Sequence, residues 1–171
     1  MEESRVNSED LNQTDSEDLN QTDSDELESM MIEFFGKGGT FKELKDMSDD
    51  AMEAIYSVAY NLYQGGKYDE AQKVFQFLCF YDHFNRKYFM GLGACQQMMK
   101  KYEEAIEIFS FATILDSDDP RPMLYIGDCN MALGEKDKAK TAYETALEWS
   151  ADNPEFSEDR ERAHNMLENF D

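Results

Sequence analysis

The 171-residue chain has few cysteines and no long apolar run, and each shortage excludes a class of protein. Three cysteines are too few, and odd in number, for a disulfide-stapled scaffold, so the sequence favours a reducing compartment. No stretch approaches the roughly 18 uninterrupted apolar residues that a membrane-spanning helix needs. The N-terminus, MEESRVNSED, lacks the basic start and the apolar segment of a secretory signal. These absences predict a cytoplasmic protein that does not enter a membrane.

Basic residues are also scarce, since 16 Lys and Arg stand against 38 Asp and Glu and give a formal charge of −22. Proteins that bind nucleic acid or an anionic membrane use clustered Lys and Arg, so neither is expected as a partner. The negative charge is concentrated at the N-terminus, where residues 1–29 contain 11 acidic residues and a single basic one, Arg5.

The acidic N-terminus contains the octapeptide SEDLNQTD twice, from Ser8 to Asp15 and from Ser16 to Asp23. One leucine in every eight residues cannot bury enough apolar surface to offset the entropy of ordering the chain. Residues 1–23 are therefore predicted to be a disordered acidic tail.

Residues 24–47 are predicted to form an N-terminal helix, Asp25–Phe35, followed by a glycine hinge. One face of this helix is apolar, and its candidate dimerisation residues are Leu27, Met30, Met31 and Phe34. So many large apolar side chains on a short helix need a partner surface. That surface is either a second copy of the chain or the chain's own later helices.

Residues 48–153 contain an internal repeat with a period of 34 residues, divided into blocks 52–85, 86–119 and 120–153. The columns that recur at this spacing are Ala71, Ala105 and Ala139; Phe75, Phe109 and Tyr143; and Ala59, Gly93 and Gly127. Each block has the pattern of two helices separated by a turn. The predicted helices are Asp49–Gln64, Tyr68–Phe80, Arg86–Met99, Tyr102–Leu115 and a third pair that starts at Pro120, breaks at Gly134 and ends near Trp149.

The pattern of small residues and aromatic rings at a 34-residue period resembles the tetratricopeptide repeat. The resemblance implies an all-α fold of three helix-turn-helix repeats, stacked into a short right-handed superhelix with a concave side. Residues 154–171 are amphipathic and are expected to form a C-terminal solvating helix over Pro154–Asn169.

No constellation of residues points to an enzyme, a metal site or a cofactor. His83 and His164 have no ligand-spaced partners. Cys95 and Cys129 are spaced by 34, which marks them as small core residues rather than nucleophiles.

The concave side is the candidate binding surface, because Tyr56, Tyr60 and Tyr63 share one face of the first helix. They lie outside the positions predicted to pack, which on this helix are Ile55, Val58, Ala59 and Leu62. The tyrosines are therefore expected to line a groove, with packing against a preceding helix as the alternative. The equivalent groove positions are Met90, Ala94 and Gln97 in the second block and Leu124, Asp128 and Met131 in the third.

Four segments carry a closer resemblance: Ala59-Tyr60-Asn61-Leu62-Tyr63, Gly66-Lys67-Tyr68, Asp82-His83-Phe84-Asn85 and Gly91-Leu92-Gly93-Ala94-Cys95. They are similar to the translocator chaperones of bacterial type III secretion, the class II chaperones. The similarity covers most of residues 25–171, and the duplicated acidic tail is a departure from the family's pattern for which the family supplies no role.

This resemblance implies a cytoplasmic bacterial chaperone that holds membrane-inserting translocator subunits before secretion. It implies that an extended translocator segment contacts Tyr56, Tyr60 and Tyr63, and that the chain forms a homodimer through Asp25–Phe35. Some members also assist a transcription activator. The alternative function is a generic tetratricopeptide adaptor or scaffold for soluble proteins; a clamp for a partner's C-terminal carboxylate is disfavoured because Asp49–Gln64 contains no basic residue.

Overall fold

The computed structural model describes residues 29–30, 32–34, 36–151 and 153–170, and these residues form helices and turns without a strand. Residues 29–30, 32–34 and 36 are helical, so helical structure reaches one residue beyond the predicted end at Phe35. The acidic tail, Leu27 and Met31 lie outside the described residues, and the predictions made for them stay predictions.

Eight α-helices follow from residue 41 onward in the described part of the chain. They are α1 Phe41–Leu44, α2 Asp49–Gln64, α3 Tyr68–Tyr81, α4 Arg86–Met98, α5 Tyr102–Leu115, α6 Arg121–Leu133, α7 Lys136–Trp149 and α8 Ser157–Leu167, with short 3-10 turns at Pro154–Phe156 and Glu168–Phe170. From α2 onward, each helix packs mainly against the helices next to it in the chain, as expected for stacked helix-turn-helix repeats. The predicted all-α repeat fold is confirmed.

Local sequence signals account for the helix ends. The Ser48 hydroxyl accepts a hydrogen bond from the Ala51 amide at 3.1 Å and caps α2. Thr40 and Glu43 form a capping box in front of α1. Gly134 ends α6 in a left-handed conformation, with φ of 78°, which a residue with a Cβ adopts only at a cost.

The repeated small and aromatic residues meet directly in the core. The ring of Phe109 lies against Gly93 within the second repeat, and a Cβ added to Gly93 would stand 2.6 Å from Phe109 Cε1. Tyr143 lies on Gly127 in the same way. Cys95 and Cys129 are fully buried, which confirms them as small core residues.

One packing prediction for α2 is wrong. Val58 is 53% exposed, although Leu92 and Ile126, its equivalents 34 and 68 residues later, are buried. In the later repeats, this face of the inner helix packs on the outer helix of the preceding repeat. Within the described part of the chain, α2 has no preceding repeat, so Val58 is uncovered and Met52 contributes to the core instead.

The C-terminal helix continues the 34-residue register. Ala163 is buried in line with Cys95 and Cys129, and Phe156 is buried in line with Tyr88 and Pro122. The solvating helix α8 therefore occupies the place of a fourth inner helix.

Candidate binding groove

The inner helices α2, α4, α6 and α8 lie side by side, so their equivalent positions form one continuous surface. Two ion pairs join residues that are 34 positions apart. Lys87 Nζ lies 2.7 Å from Glu53 Oε2, and the guanidinium of Arg162 contacts the carboxylate of Asp128. Equivalent residues touch between α2 and α4 and between α6 and α8, and Met90 of α4 packs against the same cluster as Met123 and Tyr125 of α6, so the predicted groove positions share a face.

Of the three groove tyrosines, Tyr60 is the most open, with 47% of its surface exposed. Its ring stacks on Tyr56 with centroids 6.3 Å apart. Tyr56 is held from behind by Phe75 at 5.8 Å and by Tyr88 at 6.1 Å. Tyr60 is thus presented on a supporting layer of aromatic rings.

Tyr56 and Tyr63 are half-buried and pack against the core, so they combine a groove position with a structural role. Burial raises the pKa of both phenols, which therefore stay neutral at physiological pH. Lys87 Nζ lies 3.7 Å from the centroid of the Tyr56 ring, a cation–π contact that fixes this ring further.

The second repeat forms the floor of the groove. Met90, Ala94 and Gln97 are all partly exposed, so a bound segment could reach them. Met90 also packs against two neighbouring core clusters. Ala94 is the equivalent of Tyr60 in the second repeat, 34 residues later. Because its side chain is small, it leaves space in the groove between Tyr60 and the third repeat.

The third repeat differs from the sequence prediction. Leu124 has no exposed surface and packs with Tyr143 and Ala163, so its assignment to the groove lining is wrong. Met131 is partly exposed but packs against the same cluster. The reason is α8, whose packing on α7 and α6 encloses these side chains.

Asp128 is the polar centre of this end of the groove. Its Oδ1 accepts a hydrogen bond from the Tyr143 hydroxyl at 2.9 Å, and its Oδ2 pairs with Arg162. Burial, followed by the charge of Asp128, raises the pKa of Tyr143, so the phenol remains a proton donor. The groove therefore changes from aromatic at α2 to charged between α6 and α8.

The described residues contain no group of His, Cys, Asp and Glu side chains that could hold a metal ion. Burial raises the pKa of Cys79 to about 12 and that of Cys95 and Cys129 to about 11, so these thiols are protonated and unreactive at neutral pH. None of the helices in the described ranges is long and apolar enough to cross a membrane.

Comparison with known proteins assigns the repeats. One model of the tetratricopeptide repeat matches residues 52–85 and 87–119, and a second model of the same repeat matches residues 124–153. The chain is 42% identical over 138 residues to the low calcium response locus protein H of Yersinia pseudotuberculosis, covering 81% of this chain and 82% of that protein. The type III secretion translocator chaperone SycD of Yersinia enterocolitica is 41% identical in a solved structure that covers 77% of this chain and 98% of SycD, with a TM-score of 0.75.

The chain belongs to the type III secretion translocator chaperones. The structure of SycD has also been solved in complex with a peptide of the translocator YopD. The SycD chain in that complex is 41% identical to this chain, the match covers 72% of this chain and 94% of that SycD chain, and the TM-score is 0.68. A further SycD structure shows an alternative dimer.

This translocator chaperone has a second exposed apolar surface, which the sequence analysis missed. It lies on the outer helices α3 and α5 and in the loop after α3, and we name it the outer stripe: Phe77, Phe80, Phe84, Phe111 and Ile114. The signal was available, because Phe77 and Phe111 are 34 residues apart, as are Phe80 and Ile114. The third repeat has Thr145 and Glu148 at these positions, so the stripe ends there.

Proposed function

We propose that this chain is a cytoplasmic bacterial chaperone that binds an extended segment of a membrane-inserting translocator subunit in its groove. Binding would keep the translocator soluble and competent for secretion. The observation that carries the proposal is Tyr60, a large ring that is half-exposed on an inner helix and supported by Tyr56. An exposed ring with a rigid backing is suited to an apolar anchor residue of a bound segment.

The size of the exposed aromatic surface predicts moderate affinity. Suppose that binding removes about 200 Å² of apolar surface on Tyr60 and its neighbours from solvent. The gross gain in binding free energy is then about 5 kcal/mol at 25 cal/mol per Å². Ordering an extended segment costs about 2–5 kcal/mol. Further contacts along Met90 and Ala94 are then needed to reach a micromolar Kd, about −8 kcal/mol. Such binding is reversible, as release at an export apparatus requires.

The proposed activity is binding alone, without catalysis. The three buried thiols are protonated, and the polar groups of the groove are engaged in ion pairs rather than in a nucleophile–base arrangement. A transcription activator as a further partner has no observation in its favour among the described residues.

We also propose that the chain forms a homodimer in which the N-terminal segment takes part. Met30 is 67% exposed and Ile32 is 65% exposed, so both sides of this helical segment present apolar surface. Val58 is uncovered on the face of α2 that packs on a preceding helix in the later repeats. A second copy that covers Met30, Ile32 and Val58 would remove all three from water.

Co-expression tests the function directly. The tagged chain is expressed with the translocators encoded in the same bacterium, purified, and the bound protein is identified by mass spectrometry. A membrane-inserting translocator should co-purify with the wild type, and the amount that co-purifies should be smaller with Tyr60→Ala. Ile114→Ala is the control, because Ile114 is an exposed apolar residue on the outer helix α5, outside both the groove and the proposed dimer surface. Capture of several soluble partners without a translocator would instead support a scaffold.

A further inference from the structure

Arg162 occupies the groove column that begins with Tyr60. Residues 60, 94, 128 and 162 are each 34 positions apart, and α8 continues the register of the inner helices. The column therefore runs from an aromatic ring, across the small Ala94, to the ion pair of Asp128 and Arg162. The far end of the groove is a polar site built by a helix outside the three repeats.

The guanidinium of Arg162 is held in place from two sides. Asp128 binds its Nη2, and the hydroxyl of Tyr143 fixes Asp128 at 2.9 Å. The ring of Tyr125 lies 5.2 Å from the guanidinium carbon and is itself stacked on Phe109 at 5.2 Å. A planar donor group with such support is preorganised, so little side-chain entropy would be lost on binding.

Arg162 still has donors to offer. Among the described residues, the acceptor on this guanidinium is Asp128, which takes the Nη2 hydrogen bond, so Nε and Nη1 keep their N–H groups for solvent or a ligand. The side chain is 39% exposed, which leaves these donors accessible. Since Asp128 already neutralises the positive charge, the site suits a neutral acceptor better than a second carboxylate.

An extended segment brings such acceptors into the groove. A segment without helix or sheet partners carries unpaired main-chain carbonyl groups, which are costly to bury unless they meet a donor. The aromatic and small residues at the α2 end supply few N–H groups. We propose that Arg162 is a specificity-determining residue that donates a hydrogen bond to a main-chain carbonyl of the bound segment, at the opposite end of the groove from the apolar anchor on Tyr60. This inference rests on the proposed function.

An amide-to-ester scan tests this hydrogen bond. An ester carbonyl is a weaker acceptor than an amide carbonyl, so it reports on one main-chain contact at a time. The probe is a synthetic YopD peptide, with one ester at each position in turn, titrated against the full-length chain. With the wild type, at least one ester should weaken binding several-fold. With Arg162→Met, the all-amide peptide should bind about tenfold more weakly, and the penalty of that same ester should disappear.

Two further variants separate the contact from its surroundings. Asp128→Asn/Arg162→Met leaves no unpaired carboxylate and should lose the same ester penalty as Arg162→Met. Lys138→Met makes the same charge change on the outer helix α7, where Lys138 is exposed, and should retain the penalty. An ester penalty that is equal in wild type and Arg162→Met would overturn the inference.

The proposed function is judged separately by Tyr60→Ala in the same titration. If Tyr60→Ala weakens binding while Arg162→Met leaves both affinity and ester penalties unchanged, the groove assignment stands and the Arg162 contact is wrong. If the wild type does not bind the peptide at all, the groove assignment and the Arg162 contact are both contradicted for this class of segment.

Discussion

Arg86, the first residue of α4, forms an ion pair with Asp119, which lies two residues before α6. Asp119 is almost fully buried and also accepts hydrogen bonds from the backbone amide and the guanidinium of Arg121. One carboxylate thus ties the start of the second repeat to the start of the third. This contact holds two inner helices of the groove at a fixed spacing.

The pKa of Asp119 reflects this environment. Burial alone would raise it, but hydrogen bonds from Arg121 and the positive charges of Arg86 and Arg121 outweigh burial and hold the pKa below its usual range. Asp119→Asn should therefore lower the free energy of unfolding at pH 7 by about 2 kcal/mol, the scale of a charged hydrogen bond. Urea unfolding measures this loss, and the exposed neighbour Asp118→Asn should show almost none.

The same variant predicts a pH dependence. Because the folded-state pKa is depressed, the stabilisation by Asp119 is fully present above the unfolded pKa of about 4 and is lost as the pH falls through the folded value. The difference in unfolding free energy between wild type and Asp119→Asn should shrink below about pH 4. A difference that stays constant from pH 7 to pH 3 would contradict the assigned ion pair.

Leu124 is a core residue in the structure, although its repeat position predicted groove lining. Leu124→Ala should destabilise the fold by about 2–5 kcal/mol, because it leaves a cavity between α6, α7 and α8. Thermal or urea unfolding gives the value. Met98→Ala removes a half-exposed side chain at the end of α4 and should cost far less. If the two substitutions lowered the stability equally, the assignment of Leu124 to the core would be wrong.

Gly93 shows why a small residue recurs in the second and third repeats. A Cβ at this position would stand within 3 Å of three ring atoms of Phe109, which is fully buried. Overpacking of this kind costs about 1–3 kcal/mol, more than the roughly 1 kcal/mol that alanine gains over glycine in a helix. Gly93→Ala should therefore lower the melting temperature. Gly36→Ala, where a Cβ meets nothing within 4 Å, should not.

Tyr60 should matter for binding much more than for stability. Tyr60→Ala is expected to weaken binding of a translocator peptide by tens to hundreds of fold while changing the unfolding free energy by less than about 1 kcal/mol, because the ring is half-exposed. Titration calorimetry and a melting curve on the same preparation separate the two effects. Ile114→Ala, on the outer helix α5, should change neither by much. Loss of the fold together with binding would show that Tyr60 is structural.

Self-association should depend on the apolar residues of the N-terminal segment. Replacing Leu27, Met30 and Phe34 by Asp should convert a dimer to a monomer in sedimentation velocity, because buried charges without partners oppose association. Ile114→Asp makes the same kind of change at an exposed position of α5 and should leave the dimer intact. A wild type that is monomeric at micromolar concentration would end the dimer proposal.

The sequence predicted the helices closely because their signals are local. Ser48, Gly134 and the Thr40–Glu43 capping box mark helix ends through neighbouring residues alone. The 34-residue columns predicted which small and aromatic residues meet, since each repeat packs in the same way. The predicted limits of α2 and α5 agree with the structure, and the ends of α3 and α4 differ by one residue.

What the sequence by itself determined is therefore the repeat, its helices and the tyrosine face of α2. The tertiary structure decided how exposed each equivalent position is, because this depends on what lies before and after it in the stack. Val58 is uncovered because α2 comes first among the repeats, and Leu124 is enclosed because α8 follows the last one. The contact between Arg162 and Asp128 likewise appears only when α8 packs in register beside α6. A repeat pattern predicts the same burial for equivalent positions in every repeat. The first and last repeats of a finite stack have different neighbours, so the burial of these positions differs there.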